Sequence, residues 1–335
     1  MAVPRLDTKP IFIELMHAEE PTVRWKFQVR VLGDDPNSPT LGPLAAEVRK
    51  SPLVKQLLSE QQADGSLPHQ AYSKWDGAHW VLANLADLDY PAGDARLNPL
   101  VEQEIAWLFP NGKPRERPVI AGKMRRCASQ EGSALYSLLA LGLDQTQVPE
   151  LADGLVAWQW PDGGWNCDRH VKAKNASFME SLLPLRGLNL YARRSGDPAA
   201  RQAVERAADI FLKRQLFRRQ SDGSLIHPDF VRLHYPCYWH YDILFGLKVL
   251  AEAAYLSDPR CTSALDILEE RVLPDGGIPV DAKYYRITDK RVSGRSLVDW
   301  SAYGRSGSRP VRGKPHADVF ASLDALSVLR QAGRL

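Results

Sequence analysis

The amino-acid sequence predicts an all-α protein in which about six helical hairpins close into an (α/α)6 toroid. Three observations lead to this prediction. Turn dipeptides recur along the chain at intervals of 47 to 60 residues. An amphipathic helical pattern precedes each turn, and a more uniformly apolar helical pattern follows it. Alternating β-branched residues do not compete with this interpretation, and only residues 278–303 leave room for short strands or an insertion.

The turns are Asp-Gly or Asn-Gly dipeptides. Their first side chain can hydrogen-bond the nearby backbone, and glycine adopts a positive φ at little cost, so the pair suits a sharp chain reversal. The five dipeptides begin at Asp64, Asn111, Asp162, Asp222 and Asp275. Their loose period indicates a repeated supersecondary unit.

The amphipathic segments are predicted to be outer helices. In the clearest one, Val204, Ile210 and Phe211 share an apolar face, while Arg201 and Lys213 point elsewhere. The outer helices are predicted over residues 9–18, 53–62, 97–109, 147–159, 199–218 and 260–272.

The more apolar segments are predicted to be inner helices, because a helix that is apolar on nearly all sides is buried. They cover residues 21–32, 76–88, 129–142, 177–191, 239–255 and 316–331. Alternating outer and inner helices close economically into a double ring, whereas an open α-solenoid needs polar capping helices. The last inner helix is apolar almost to the C-terminus, which favours closure. We expect one domain over residues 1–335, with a lid or insertion at 278–314.

Composition and charge exclude several classes of protein. With 43 basic and 40 acidic side chains the formal charge is +3, so we expect no nucleic-acid partner. No window approaches the 18 apolar residues of a membrane span. The first ten residues have no apolar segment after a basic start, so we expect no secretion by a signal peptide. The four cysteines form no CxxC pair, which favours reduced thiols and a cytoplasmic protein. The basic stretch at 305–314 is interpreted as a surface loop rather than a phosphate-binding strap.

Residues 158–165 read WQWPDGGW. This segment resembles the QW repeat of the squalene-hopene cyclase and protein prenyltransferase superfamily, and Gln159, Gly163 and Trp165 match its pattern. The resemblance implies a small single-domain α/α toroid and an isoprenoid-like substrate. The chain departs from both families, since it has neither the acidic DxDD motif of the cyclases nor the Asp-x-Cys zinc motif of the prenyltransferases. Their reactions are therefore not carried over.

Candidate catalytic residues are the titratable side chains near the N-terminal ends of the inner helices. Such ends meet at one mouth of a toroid, where helix dipoles and free N–H groups favour anions and shift pKa values. The candidates are Asp76, His79, Glu131, Cys167, Asp168, His170, His240 and Asp242. Structural alternatives are an N-cap for Asp76, a capping box from Ser177 to Glu180, and a wedge between repeats for Trp165.

Aromatic residues at the same mouth are predicted to form a substrate-binding wall, because their faces stack on rings and stabilise cations. They are Trp75, Trp80, Tyr235, Trp239 and Tyr241. A mixed zinc site is one interpretation of the polar groups, and general acid–base chemistry without a metal is the other. If zinc is bound, its predicted ligands are Cys167, Asp168, Cys237 and His240.

The function favoured by these features is that of an enzyme. It would act on a small, partly hydrophobic molecule in the central cavity, by acid–base cyclisation, isomerisation or elimination. One alternative is a non-catalytic binding toroid. Another is a carbohydrate-active (α/α)6 hydrolase or lyase, which needs a pair of carboxyls from Asp76, Asp168 and Asp242.

Overall fold

The computed structural model of the chain describes residues 8–114, 118–143, 146–303 and 317–335. Within these ranges it contains thirteen α-helices and one short β-hairpin, so the all-α prediction is confirmed. The helices are α1 (Lys9–Met16), α2 (Pro21–Lys26), α3 (Gly42–Val48), α4 (Pro52–Leu57), α5 (Ala78–Asp87), α6 (Asn98–Leu108), α7 (Ala128–Ala140), α8 (Val148–Trp158), α9 (Phe178–Ser195), α10 (Pro198–Leu212), α11 (Ile243–Glu252), α12 (Thr262–Glu270) and α13 (Val319–Gln331).

Every predicted helical segment overlaps one of these helices, but the ends of segment and helix often differ. The segment 21–32 divides into α2 and a π-helix at Phe27–Leu32. The segment 239–255 begins its helix only at Ile243, because Asp242 is the N-cap residue. Among the α-helices and strands, α3 and the hairpin of β1 (Val119–Ile120) with β2 (Lys123–Met124) were not predicted. Both are short, and short elements carry too few residues for a clear periodicity.

The dipeptide turns adopt the backbone conformation that their composition predicts. All five glycines have positive φ, between 71° and 100°. At three of the turns the aspartate also holds the reversal directly: Asp64 and Asp222 each accept a hydrogen bond from the backbone N–H two residues later, and Asp275 does the same for Gly277. Local turn chemistry therefore determines where the helices reverse.

The buried helices contact one another in chain order. Helix α5 packs on α7, α7 on α9, α9 on α11, and α11 on α13. Helix α13 in turn contacts α2 and the π-helix that follows α2. Trp25 of α2 then donates a hydrogen bond from its indole Nε1 to the carbonyl oxygen of Asp89, just after α5. The first and last helices thus share one buried core with those between them.

The contact between α7 and α9 is unusually close. A Cβ atom at Gly132 would lie 2.3 Å from the backbone nitrogen of Pro184, and one at Gly187 would lie 2.5 Å from the carbonyl oxygen of Gly132. Only glycine allows two helix backbones to approach so closely. This approach holds the N-terminal ends of the two helices side by side.

A buried ion network occupies the space where the C-terminal halves of the helices converge. Lys248 of α11 donates to Asp87 of α5 at 2.6 Å and to Asp324 of α13 at 2.9 Å. Lys26 of α2 lies 2.8 Å from the same Asp324, and Arg186 of α9 lies 3.1 Å from Asp87. Further members are Glu252, which binds Arg186, and Arg30 and Asp89, which bind each other. Four cations and four carboxylates compensate one another here.

Part of the expected lid lies outside the described residues. Residues 278–303 are described and contain a 3-10 helix at Trp300–Tyr303 but no α-helix. In this segment Arg295 forms ion pairs with Glu60 and Asp76, so it is anchored near the N-terminal end of α5. The predicted basic loop at 305–314 falls outside the described ranges. Among the helices described, none combines the length and the apolar character needed to cross a membrane.

Candidate functional site

Three of the predicted catalytic residues lie in buried pairs near the N-terminal ends of α5 and α7. Asp76 accepts a hydrogen bond from the Ser73 hydroxyl at 2.6 Å and lies 3.2 Å from Arg295. His79 places Nδ1 2.7 Å from the carboxylate of Glu104, and both side chains are buried. Glu131 forms a buried ion pair with Arg126. Glu104 was not predicted, because its helix reads as an ordinary amphipathic outer helix.

Asp242 serves the structure of α11. Its Oδ1 atom accepts a hydrogen bond from the Phe245 backbone N–H at 2.8 Å, as an N-cap does. Its Oδ2 atom lies 2.6 Å from His234 Nδ1 and also accepts the His234 backbone N–H at 2.9 Å. Because both oxygens are occupied by the protein, Asp242 has a complete structural explanation.

His240 lies between two aromatic rings. Its ring centroid is 3.7 Å from that of Tyr284 and 4.1 Å from that of Trp239, with the planes nearly parallel. Burial, with smaller contributions from His234 and Lys74, lowers the pKa of His240 to about 3. The imidazole is therefore neutral near pH 7 and cannot act there as a proton donor in the imidazolium form.

Asp168 and His170 lie in an exposed loop after the turn at Asp162. They form local turns, in which Asp168 accepts the His170 backbone N–H and the His170 ring accepts the Lys172 backbone N–H. Neither has a described ion pair or a contact that links it to the other predicted catalytic residues.

The predicted aromatic residues separate into two groups. Trp75 stacks on Tyr238 at 3.8 Å and meets Trp80 edge to face at 4.6 Å, and Trp239 packs beside this small cluster. Tyr241 instead donates its hydroxyl to the Leu216 carbonyl within the main core. Tyr235 likewise packs in the core, stacked on Phe320. The latter two belong to helix packing rather than to an open wall.

The side chains that the structure brings together for chemistry are Cys127, Cys167 and Glu180. Among the described residues they form the one group of at least three His, Cys, Asp or Glu side chains whose potential metal-ligand atoms all lie within 4.8 Å of one another. All three are partly buried. The predicted zinc set of Cys167, Asp168, Cys237 and His240 does not form such a group, because Asp168 points to solvent and Cys237 lies buried in the main core.

This cluster lies where two helices begin. Cys127 is the N-cap residue of α7, Glu180 lies in the first turn of α9, and Cys167 follows the turn at Asp162. The Cys167 thiol donates to Glu180 Oε1 at 3.3 Å, and Glu180 Oε2 accepts the Ser129 backbone N–H at 3.1 Å. Glu180 thus joins the first turn of α9 to the N-terminus of α7. The sequence indicated only a capping box within α9.

The three acidic groups influence one another. A hydrogen bond with Cys167 lowers the pKa of the Cys127 thiol, and the same bond raises the pKa of the Cys167 thiol. Burial raises the pKa of Glu180. Burial and mutual repulsion therefore oppose the simultaneous ionisation of all three groups.

A pocket of about 430 Å³ with aromatic side chains in its lining lies near the cluster, although none of the three cluster residues lines it. Tyr72 and Gln130 both line the pocket. Burial, together with the nearby charges of Cys127 and Glu180, raises the pKa of Tyr72 to about 12, so Tyr72 connects the pocket to the cluster. Tyr72 also stacks on Trp107 at 5.0 Å, which gives the pocket a flat apolar side. The lining residues are Pro68, His69, Gln70, Tyr72, Ser73, Trp107 and Gln130.

Sequence reasoning placed Cys127 at the mouth but did not include it in the site. The available signal was its position directly before an inner helix, in the same register as the segment that holds Cys167. The Nε2 atom of Gln159 donates to the carbonyl oxygens of Gly163 and Ala203 and so joins the turn to α10. Trp165 is buried and donates to the Leu155 carbonyl, so it is a wedge between helices.

No family model and no curated protein matches this chain. Among solved structures, the chain is similar to a type II terpene cyclase from Scytonema in complex with its substrate, geranylgeranyl dihydroxybenzoate. That match has 18% sequence identity, covers 84% of this chain and 96% of the other, and has a TM-score of 0.27. Because this score is low, the interpretation of the site rests on its own residues.

Proposed function

We propose that this chain is an enzyme that acts on a small, partly hydrophobic molecule by acid–base chemistry. Its reacting groups are Cys127, Cys167 and Glu180. The observation that carries the proposal is the meeting of two thiols and a carboxyl beside an aromatic pocket. Concave aromatic pockets with a few convergent polar groups are the usual form of a small-molecule site.

The proposed architecture is a closed α/α toroid formed by residues 1–335 as one domain. Its support is the order of helix contacts, in which α13 packs against α2 after the helices between them have packed in succession. The proposed substrate site differs from the central cavity that the sequence suggested. We place the substrate in the pocket lined by Tyr72, Trp107 and Gln130, because Gln130 lies close in sequence to Cys127 and this pocket is near the two thiols and Glu180.

The proposed reaction is a cyclisation, isomerisation or elimination, because each of these removes a proton from one atom and delivers a proton to a substrate or leaving group. Glu180 and the two thiols supply both an acceptor and a donor within hydrogen-bond reach of each other. Tyr72 and Trp107 would hold the flat or apolar part of the substrate, and Gln130 would orient its polar part.

The test is turnover of a small-molecule library by the wild type and two matched variants, followed by mass spectrometry. We expect Glu180→Gln to lose about 100-fold or more in turnover, because positioned acids and bases contribute 10²–10⁴-fold. The control Asp168→Asn changes an exposed carboxyl in the loop next to Cys167 and should retain activity. Equal turnover by wild type and Glu180→Gln would rule out this site.

A further inference from the structure

We infer that Cys127, Cys167 and Glu180 are the three protein ligands of a zinc-class divalent cation. This site deepens the proposed function and rests on it for its role in catalysis, although cation binding itself does not depend on any reaction. The sequence suggested other ligands, and the geometry selects these three.

The spacing of the ligand atoms suits a tetrahedral ion. Zinc bonds of 2.3 Å to sulfur and 2.0–2.2 Å to oxygen place neighbouring ligand atoms about 3.5–3.8 Å apart. In the structure Cys167 Sγ lies 3.3 Å from Glu180 Oε1, and all three ligand atoms lie within 4.8 Å of one another. Movements smaller than 1 Å would therefore complete the coordination.

The donor set selects the type of metal. Two thiolates are soft ligands and favour zinc over magnesium or calcium, which prefer oxygen. Three protein ligands leave the fourth position of a tetrahedral ion open to water or substrate, and this is the arrangement of catalytic rather than structural zinc. At that position zinc polarises a bound oxygen or lowers the pKa of water.

Charge also favours a cation at this position. Two thiolates and one carboxylate would place three negative charges in a partly buried volume, and a divalent ion neutralises two of them. The N-terminus of α7, where Cys127 is the N-cap residue, offsets part of the remaining charge through its helix dipole.

The carboxylate ligand is already oriented by the backbone. The Ser129 N–H donates to Glu180 Oε2 at 3.1 Å and leaves Oε1 directed at the thiols. Groups that orient a metal ligand in this way typically change metal affinity by 10- to 100-fold. The close packing of Gly132 against Pro184 sets the separation of α7 and α9, and therefore the positions of Cys127 and Glu180 relative to each other.

The experiment uses the full-length protein, reduced and freed of metal by a chelator. Zinc affinity is measured by competition with a chromophoric chelator, and cobalt substitution reports thiolate ligation through its near-ultraviolet charge-transfer band. We expect one ion per chain, with affinity lowered at least 100-fold in Cys127→Ser and Cys167→Ser and at least tenfold in Glu180→Gln. Circular dichroism of each metal-free variant shows whether it is folded.

Two matched controls separate this site from the one that the sequence suggested. Cys237→Ser and Asp168→Asn alter members of the other ligand set, and both should keep wild-type zinc affinity and the cobalt band. Loss of zinc in either control would overturn the assignment. So would zinc affinity that is equal in wild type and Cys127→Ser, or a Cys127–Cys167 disulfide that persists in protein purified without oxidant.

Failure of the metal site and failure of the proposed function give different results. If zinc does not bind while Glu180→Gln still abolishes turnover, the metal inference is wrong and the acid–base proposal stands. If zinc binds to these ligands while Glu180→Gln retains full turnover, the site binds metal and the catalytic proposal is wrong.

Discussion

At the scale of single residues, His240 shows how burial alone can remove a group from acid–base work. Its imidazole is enclosed by Trp239 and Tyr284, and no hydrogen bond to its buried Nδ1 atom is present in the described part of the chain. Because the cationic form loses hydration there, the pKa of His240 falls to about 3. Position at a helix end is therefore not enough to make a histidine reactive.

This lowered pKa predicts a dependence of stability on pH. The folded state disfavours protonated His240, whereas the unfolded chain binds the proton near pH 6.5, so this residue's contribution is present above pH 6.5 and is lost as the pH falls. Since the ring is partly exposed, we expect a loss of roughly 1–3 kcal/mol between pH 7 and pH 4.

Urea unfolding of wild type and His240→Phe at several pH values measures this effect. The phenylalanine keeps the stack and cannot titrate. As the pH falls, the unfolding free energy of wild type should therefore decrease more than that of the variant. Two parallel pH profiles would contradict the prediction.

At the scale of helices, the contact between α7 and α9 determines the geometry of the candidate site. It brings Cys127, at the start of one helix, to Glu180, in the first turn of the other. The contact depends on glycines rather than on large apolar side chains, so the hydrophobic pattern of either helix does not reveal it.

Replacing Gly132 with alanine tests this packing. The new Cβ would lie 2.3 Å from the Pro184 backbone nitrogen, so the helices must separate. We expect a loss of about 2 kcal/mol or more in the free energy of unfolding, because the overlap outweighs the gain in helix propensity. The matched control is Gly42→Ala at the start of α3, where a Cβ meets nothing within 4 Å. Equal unfolding free energies of the two variants in urea would show that the close approach of α7 and α9 does not contribute to stability.

At the scale of the whole molecule, buried charge holds the helices together at the end opposite the candidate site. Lys248 joins α5 and α13 to α11, and Lys26 brings α2 to the same carboxylates. Removing one partner from such a network leaves other charges unpaired in the interior, which costs more than losing one hydrogen bond.

The variant Lys248→Met should therefore lose about 3–5 kcal/mol of stability at pH 7. Its control is Lys213→Met, which removes an exposed i,i+4 pair with Asp209 and should change stability by less than about 0.5 kcal/mol. Chemical unfolding followed by circular dichroism measures both. A single cooperative transition in each protein would also agree with one domain, while similar losses in the two variants would contradict the role of the network.

The sequence by itself determined the helices and the positions of their reversals. Helical periodicity and Asp-Gly chemistry act over a few residues, so each hairpin can be predicted from its own segment, as the φ angles of Gly65 and Gly163 illustrate. The sequence also predicted polar groups near the N-terminal ends of the inner helices, but it did not predict the buried ion network of Lys248, Asp87 and Asp324.

Only the tertiary structure decided which of those polar groups act together. Asp242 and His79 lie at the predicted end, yet Asp242 pairs with His234 and His79 pairs through Nδ1 with Glu104, and the local pattern identifies neither partner. The Cys127–Glu180 meeting depends on how closely α7 approaches α9, and that distance is determined by packing between segments far apart in the chain. Periodicity specifies which face of a helix is buried, but not which residue of another helix lies against it.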